Sequence, residues 1–159
     1  SEFRVWLPLA TSVSAAPAPA EPDDAAAAAG DSLAVLYVED NAVNVLVMRE
    51  LVALRPQITL QVAVDGRSGI EAALQQRPDL VLVDMQLPDM DGLELLRRLR
   101  AQRVAATMVA LSANAMPDAV ARARAAGFDD YWTKPIDVAQ LLDRLDRLAA
   151  ANSLTAQKE

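Results

Sequence analysis

The sequence of 159 residues contains no cysteine and no histidine. Without cysteine the chain has neither disulfide bonds nor thiolate metal ligands, a composition that favours a cytoplasmic location only weakly. Without histidine, a mechanism that uses imidazole as base, nucleophile, phosphoryl carrier or metal ligand must take that group from elsewhere.

Long apolar runs and an excess of positive charge are missing as well. No apolar run approaches the roughly 20 residues that span a bilayer, and the N-terminus lacks the basic and apolar regions of a signal peptide. The formal net charge is −7, which does not suit a partner with a phosphate backbone. We therefore expect neither membrane contact nor nucleic-acid binding from this fragment.

The chain divides by composition into four segments. Residues 1–10, SEFRVWLPLA, alternate like a lone strand, which we interpret as the edge of a preceding domain or partly as a tag. Residues 11–31 are rich in alanine and proline and are predicted to be a linker. Residues 32–150 are predicted to form one folded domain, and residues 151–159 a C-terminal tail.

The domain alternates five strand patterns with five helix patterns. Strands that are apolar throughout are buried on both faces, which indicates a parallel sheet covered by helices. Right-handed crossovers then give a doubly wound α/β sheet. The predicted strands are 33–38, 58–64, 79–83, 106–112 and 130–133, and the predicted helices are 43–54, 67–76, 92–102, 117–126 and 137–150. In the first helix an apolar series recurs at helical spacing: Val43, Leu46, Val47, Leu51 and Leu54.

Charged and polar side chains follow the strands at their carboxyl ends, where such sheets bind ligands. Glu39 and Asp40 follow the first strand, Asp84 the third, Ser112 the fourth and Lys134 the fifth. If the first and third strands are neighbours, three carboxylates converge and repel unless a cation neutralises them. Mg²⁺ suits such oxygen ligands. A carboxylate, a metal, a lysine and a hydroxyl suit phosphoryl transfer onto the carboxylate.

Three other aspartates are predicted to have structural roles. Asp65 belongs to an Asp-Gly turn, and Asp89 and Asp91 are expected to serve as loop and cap residues before the helix that starts near Gly92.

Four motifs, YVEDN, DLVLVDMQLPDMDG, ALSANA and YWTKPI, occur in this order at strand ends. Together they resemble the receiver domain of two-component response regulators over about residues 32–150. The resemblance implies a flavodoxin-like sheet with strand order 2-1-3-4-5 and five helices. It also implies that the domain catalyses only its own aspartyl phosphorylation and dephosphorylation.

The resemblance assigns a role to each residue of the predicted site. Asp84 is the implied phosphoacceptor, and Glu39, Asp40, Asp84 and the Gln86 backbone carbonyl are the implied Mg²⁺ ligands.

Further roles follow from the same resemblance. Ser112 and Lys134 contact the phosphoryl group, Ser112 and the aromatic Tyr131 are the switch residues, and Gln86 and Asn114 tune hydrolysis. The Lys134-Pro135 bond is cis in the family. From its composition, the fourth helix is poor in large apolar residues, and we expect it to respond together with the fifth strand and the last helix.

Two stretches of the sequence, VEDNAVNVLVMRELV and DMQLPDMDGLELLRRLR, are most similar to the receivers of hybrid sensor histidine kinases. Residues 1–10 resemble the closing strand of a kinase ATP-binding domain. The implied partners are a histidine kinase phosphotransfer domain, in cis or in trans, and a histidine phosphotransfer protein. The resemblance then implies a cytoplasmic receiver, and it is compatible with a parent kinase that is anchored in the membrane.

Three alternatives stay open on the sequence. The first is a stand-alone response regulator without an output domain. The second is a phosphatase of the haloacid dehalogenase type. The resemblance to that class would require the motif Asp-x-Asp, but this chain has Gln86 where the second aspartate would be. The third is an interaction domain that is not phosphorylated, although such versions lose the acids or the lysine.

Overall fold

A computed structural model of the protein describes residues 32–156, with side chains as far as residue 152. The predicted N-terminal strand and linker, residues 1–31, lie outside the described residues, as do residues 157–159 of the predicted tail. Within residues 32–156, no helix combines the length and apolar character that crossing a membrane requires.

Five parallel strands form one sheet in the order β2-β1-β3-β4-β5, with five helices between and after them. This confirms the predicted doubly wound fold and its strand order. The strands are β1 (Leu33–Val38), β2 (Ile58–Ala63), β3 (Leu80–Asp84), β4 (Thr107–Ser112) and β5 (Asp130–Thr133). The helices are α1 (Ala42–Ala53), α2 (Gly66–Gln76), α3 (Gly92–Ala101), α4 (Pro117–Ala126) and α5 (Val138–Ala156). The last helix therefore continues six residues beyond its predicted end at residue 150.

The sheet separates two apolar layers, because successive side chains of a strand point to opposite faces. On β1, Leu36 and Val38 pack into the layer formed with α2, α3 and α4. Val35 and Tyr37 pack into the other layer, formed with α1 and α5. Tyr37 thus brings a polar hydroxyl to a face of β1 that is otherwise apolar, and the residue is 1% exposed.

Most residues of the predicted apolar series in α1 do not lie on the side of the helix that packs on the sheet. Met48 and Val52 are the buried residues of this helix. Four members of the series remain exposed, with exposed fractions of 68, 59, 50 and 61% at Val43, Leu46, Val47 and Leu54. Apolar residues occur on every side of α1, so periodicity alone could not select the buried side.

The start of α2 is held from two directions. Asp65 caps the helix, accepting a hydrogen bond from the Ser68 amide, and Ser68 Oγ in turn accepts one from the Asp65 amide. Asp89 accepts from the amides of Gly66 at 2.8 Å and Arg67 at 3.0 Å. Asp89 is a loop residue, as predicted, but its contact was not expected: it satisfies free donors at the start of α2 and ties the β3–α3 loop to that helix.

Asp91 does cap the following helix, as predicted, accepting from the Glu94 amide at 2.7 Å. Its neighbour Gly92 lies against the chain that leaves β3. A Cβ at Gly92 would lie 2.9 Å from the Met85 Cα and 3.1 Å from the Asp84 carbonyl oxygen. Only glycine therefore permits this close approach of α3 to the end of β3.

Candidate functional site

The carboxyl end of the sheet brings the three predicted acids together. Because β1 lies beside β3, Glu39 and Asp40 face Asp84, and one carboxylate oxygen from each lies within 4.8 Å of the others. Glu39 and Asp84 are buried, whereas Asp40 is exposed. The cluster is therefore open to solvent on the Asp40 side.

Lys134 lies between two of these carboxylates. Its Nζ donates to Glu39 Oε2 at 2.7 Å and to Asp84 Oδ2 at 2.7 Å. The Lys134 amide donates to the Ser112 carbonyl oxygen at 2.8 Å, which aligns the ends of β4 and β5, and the Lys134-Pro135 bond is cis. The lysine offsets one of the three negative charges.

Glu39 has further donors that sequence reasoning missed. Its Oε2 accepts from the Tyr37 hydroxyl at 2.8 Å and from Asn44 Nδ2 at 3.1 Å, and its Oε1 accepts from the Asn41 amide at 3.2 Å. A signal was available for Tyr37, because a tyrosine inside a buried strand needs a hydrogen-bond partner. Glu39 lies two residues further along the same face of the chain.

Burial and hydrogen bonding shift the pKa values of this cluster in different directions. Burial raises the pKa of Asp84, although bonds from Lys134 and the Gln86 amide oppose the shift. Burial also disfavours charge on Glu39 and Lys134, but the bonds that each makes outweigh it. The pKa of Glu39 is lowered and that of Lys134 is raised. Glu39 and Lys134 thus form a stable ion pair, and Asp84 is the buried carboxylate whose charge is less fully compensated.

Two cavities meet at Asp84. One, of about 410 Å³, is bounded by the acidic cluster together with Asn44 and Gln86. The other, of about 290 Å³, lies between Asp84 and the segment from Ser112 to Asn114. Asp84 Oδ1 accepts from the Gln86 amide at 2.9 Å, so the carboxylate is held in place at the boundary between the two spaces.

Tyr131 and Asn114 belong to a hydrogen-bonded chain that starts at Ser112. The Asn114 amide donates to Ser112 Oγ at 3.1 Å, and Asn114 Oδ1 accepts from the Met116 amide at 2.9 Å. The Tyr131 hydroxyl donates to the Asn114 carbonyl oxygen at 2.6 Å. The loop between β4 and α4 is therefore coupled to both Ser112 and β5.

The donor set fits a hard divalent cation. Magnesium takes oxygen ligands, keeps several waters and needs only one or two carboxylates. Asp40, Asp84 and Glu39 supply more negative charge than Lys134 neutralises, and Gln86 lines the same cavity. These residues are the ones that would hold the ion.

The comparison with protein families gives one match over most of the described domain. The model of the response regulator receiver domain matches residues 35–146. The chain is 36% identical over 130 residues to the probable transcriptional regulatory protein TcrX of Mycobacterium tuberculosis, covering 79% of this chain and 53% of that protein. It is 35% identical over 113 residues to hybrid signal transduction histidine kinase G of Dictyostelium discoideum, covering 69% of this chain and 3% of that protein.

A solved structure gives a similar result. The receiver domain of sensor histidine kinase PA1611 from Pseudomonas aeruginosa PAO1, solved with a magnesium ion coordinated in its active site cleft, is 32% identical with a TM-score of 0.66. The match covers 74% of this chain and 98% of that one. The chain thus spans a whole receiver domain but only about half of TcrX and a small part of kinase G.

Proposed function

The chain belongs to the response regulator receiver domain family, and we propose that Asp84 accepts a phosphoryl group from a phosphohistidine in the presence of Mg²⁺. The position of Asp84 supports this most directly. It is a buried carboxylate at the end of β3, held by the Gln86 amide and by Lys134 at the junction of two cavities. One cavity offers carboxylates for a cation, and the other offers space beside Ser112 for a phosphoryl group.

The transfer is a displacement at phosphorus. An Asp84 carboxylate oxygen forms a new O–P bond, the N–P bond of the donor phosphohistidine breaks, and the imidazole keeps the electron pair and takes up a proton. Bound Mg²⁺ supplies positive charge against the phosphoryl oxygens. Lys134 donates to Asp84 Oδ2, and this contact would place its ammonium group near the oxygens of a phosphoryl group on Asp84. The donor histidine belongs to another domain or protein, because this chain contains none.

The signal is proposed to leave the site through the loop that follows Ser112. The Ser112 hydroxyl accepts from Asn114 and keeps its own proton to donate to a phosphoryl oxygen. Movement of Ser112 toward Asp84 would alter the loop that holds the Tyr131 hydroxyl. In the described part of the chain, α4 buries a single residue, Ala123, so its local opening energy is low. The surface of α4, β5 and α5 is the proposed output.

Labelling with a small phosphodonor tests the acceptor. Incubation with acetyl phosphate and Mg²⁺ is expected to phosphorylate the wild type and the control Asp89→Asn, whose side chain caps α2 outside the site. Asp84→Asn is expected to take up no label. Labelling that persists in Asp84→Asn, or that proceeds fully with Mg²⁺ removed by chelator, would overturn the proposal.

The exposed apolar side of α1 is the proposed docking surface for the phosphohistidine domain. Val43, Leu46 and Val47 are at least half exposed. Their helix borders the site, since Asn44 of the same helix donates to Glu39. An apolar cavity of about 200 Å³ between α1 and the start of α5 reaches Lys134. A donor that covers this surface brings its histidine to the open side of the acidic cluster.

A charge on that surface separates docking from chemistry. Leu46→Asp is expected to slow phosphotransfer from a phosphorylated histidine kinase domain by about 10-fold or more, as for loss of a central apolar contact. It is expected to leave labelling by acetyl phosphate unchanged. Leu74→Asp, on the exposed side of α2 at 45% exposure, is the matched control. Equal phosphotransfer to both variants would exclude α1 as the docking surface.

The parent protein is proposed to be a hybrid histidine kinase, in the cytoplasm, with residues 1–10 as the end of its kinase domain and residues 11–31 as linker. Similarity to kinase G and to the PA1611 receiver supports this context. Similarity to TcrX supports the alternative of a stand-alone regulator. The sequence of the full-length gene decides between them. Gln86, in place of a second carboxylate, argues against a haloacid dehalogenase-type phosphatase, and repeated turnover of a phosphomonoester would contradict that argument.

A further inference from the structure

Tyr37 is a buried polar group that the proposed chemistry does not use. The residue is 1% exposed, and its ring belongs to the apolar layer between the sheet and the helices α1 and α5. Its hydroxyl reaches the carboxyl end of the sheet and donates to Glu39 Oε2 at 2.8 Å. The core thus fixes the position of a hydrogen-bond donor directly beneath the acidic cluster.

The two oxygens of Glu39 differ in what they contact. Oε2 accepts three hydrogen bonds, from Tyr37, Asn44 and Lys134, which exceeds its two lone pairs. Oε1 accepts one bond of 3.2 Å, from the Asn41 amide. Oε2 is therefore fully occupied, and Oε1 is the oxygen with capacity left for a cation or for one of its water ligands.

We propose that Tyr37 is a positioning residue, which holds Glu39 so that Oε2 faces Lys134 and Oε1 faces the cation. The proposal rests on the Mg²⁺-dependent function proposed above. It assigns to Tyr37 no contact with the phosphoryl group or with the metal. Tyr37 acts through the orientation of one carboxylate.

The three donors on Oε2 differ in how firmly they are placed. Asn44 is half-buried on α1, and Lys134 has a long side chain that also bonds Asp84, the group that changes on phosphorylation. Tyr37 has a rigid ring enclosed by the core, so its donor does not move when Lys134 turns to a phosphoryl oxygen. Burial, and secondly the bond to Glu39, raise the pKa of Tyr37, so its hydroxyl remains protonated.

Tyr37→Phe removes the hydroxyl and keeps the ring. The Mg²⁺ dissociation constant, measured on the whole chain by the NMR shifts of the Asn41 and Gln86 amides, is expected to rise about 10-fold, as for loss of a partner that orients a ligand. The Mg²⁺ concentration that gives half-maximal labelling by acetyl phosphate should rise equally. The rate of labelling at saturating Mg²⁺ should stay within about twofold of the wild-type rate. A general structural defect would instead lower this rate at every Mg²⁺ concentration.

Two further variants complete the experiment. Thr107→Val removes a hydroxyl at the opposite end of the sheet and should leave the Mg²⁺ dissociation constant unchanged. In a Glu39→Gln background, Tyr37→Phe should change the dissociation constant less than about twofold, because the carboxylate on which it acts is gone.

Each outcome decides a stated point. If wild type shows no Mg²⁺ binding, the proposed function fails and this inference fails with it. If wild type binds Mg²⁺ and Tyr37→Phe binds it equally, the inference alone is overturned. It is also overturned if Tyr37→Phe weakens Mg²⁺ binding as much in the Glu39→Gln background as in wild type, or if saturating Mg²⁺ does not restore the labelling rate.

Discussion

Replacing Lys134 with methionine removes the positive charge that lies between the buried carboxylates of Glu39 and Asp84. The Lys134 side chain is 19% exposed, and those of its partners Glu39 and Asp84 are 1% and 11% exposed. Methionine keeps the length of the side chain, so the change isolates the charge. Without Mg²⁺, the two carboxylates then lie side by side with no opposite charge in contact.

The magnitude follows from the burial of these groups. Breaking a buried ion pair by removing one partner costs about 3–5 kcal/mol, because the remaining charge is left uncompensated. Asp84 lies next to a cavity, and burial already raises its pKa, so it can take up a proton and limit the loss. We therefore expect Lys134→Met to lower the free energy of unfolding by about 3 kcal/mol, the low end of that range.

Urea unfolding in the presence of a chelator measures this loss. The control is Arg55→Met, which breaks the Arg55–Asp146 pair, 2.9 Å long with side chains 31% and 40% exposed. An exposed pair of this kind contributes less than about 1 kcal/mol. Mg²⁺ should stabilise Lys134→Met more than wild type, since it neutralises the same carboxylates. A loss no larger than that of Arg55→Met would refute this account of the site.

Two further predictions concern the start of α2. Asp89→Ala removes the bonds to the Gly66 and Arg67 amides, and should lower the free energy of unfolding by about 1–2 kcal/mol in urea unfolding; unchanged stability would contradict the contact between loop and helix. Hydrogen bonds from Ser68 lower the pKa of Asp65 below its ordinary value of 3.8. A lowered carboxyl pKa stabilises the fold above 3.8, and this contribution is lost as the pH falls through the folded-state pKa. The stability difference between wild type and Asp65→Asn should therefore shrink as the pH is lowered past 3.8, and a constant difference would contradict the capping box.

The fold could be predicted because local and global signals agree. Strands apolar throughout, such as 80–83, belong only in a sheet covered on both faces, and turn residues separate them from the helices. The same logic located the acids, since a polar residue directly after a buried strand lies at the carboxyl edge of the sheet. The strand order 2-1-3-4-5, which places Asp84 beside Glu39, came from the family resemblance and not from the pattern.

The contacts that could not be predicted join residues distant in sequence or depend on a choice between similar surfaces. Asp89 bonds amides 22 and 23 residues away, so its local sequence resembles that of any loop aspartate. The buried side of α1 was missed because Met48 and Val52 compete with exposed residues that are equally apolar. The Tyr37 hydroxyl could be expected to need a partner, but three donors on one oxygen of Glu39 require the folded positions of β1, α1 and β5.

The central claim is that the phosphoryl group resides on the Asp84 carboxylate, and chemical trapping tests it most directly. Borohydride reduces an acyl phosphate to an alcohol, so a phosphorylated aspartate becomes homoserine, whereas a phosphate ester on a hydroxyl is not converted. After labelling with acetyl phosphate and Mg²⁺, reduction and peptide mass spectrometry should find homoserine at position 84 alone. Homoserine at Asp40 or Asp89, or a borohydride-resistant phosphate on Ser112, would contradict the claim.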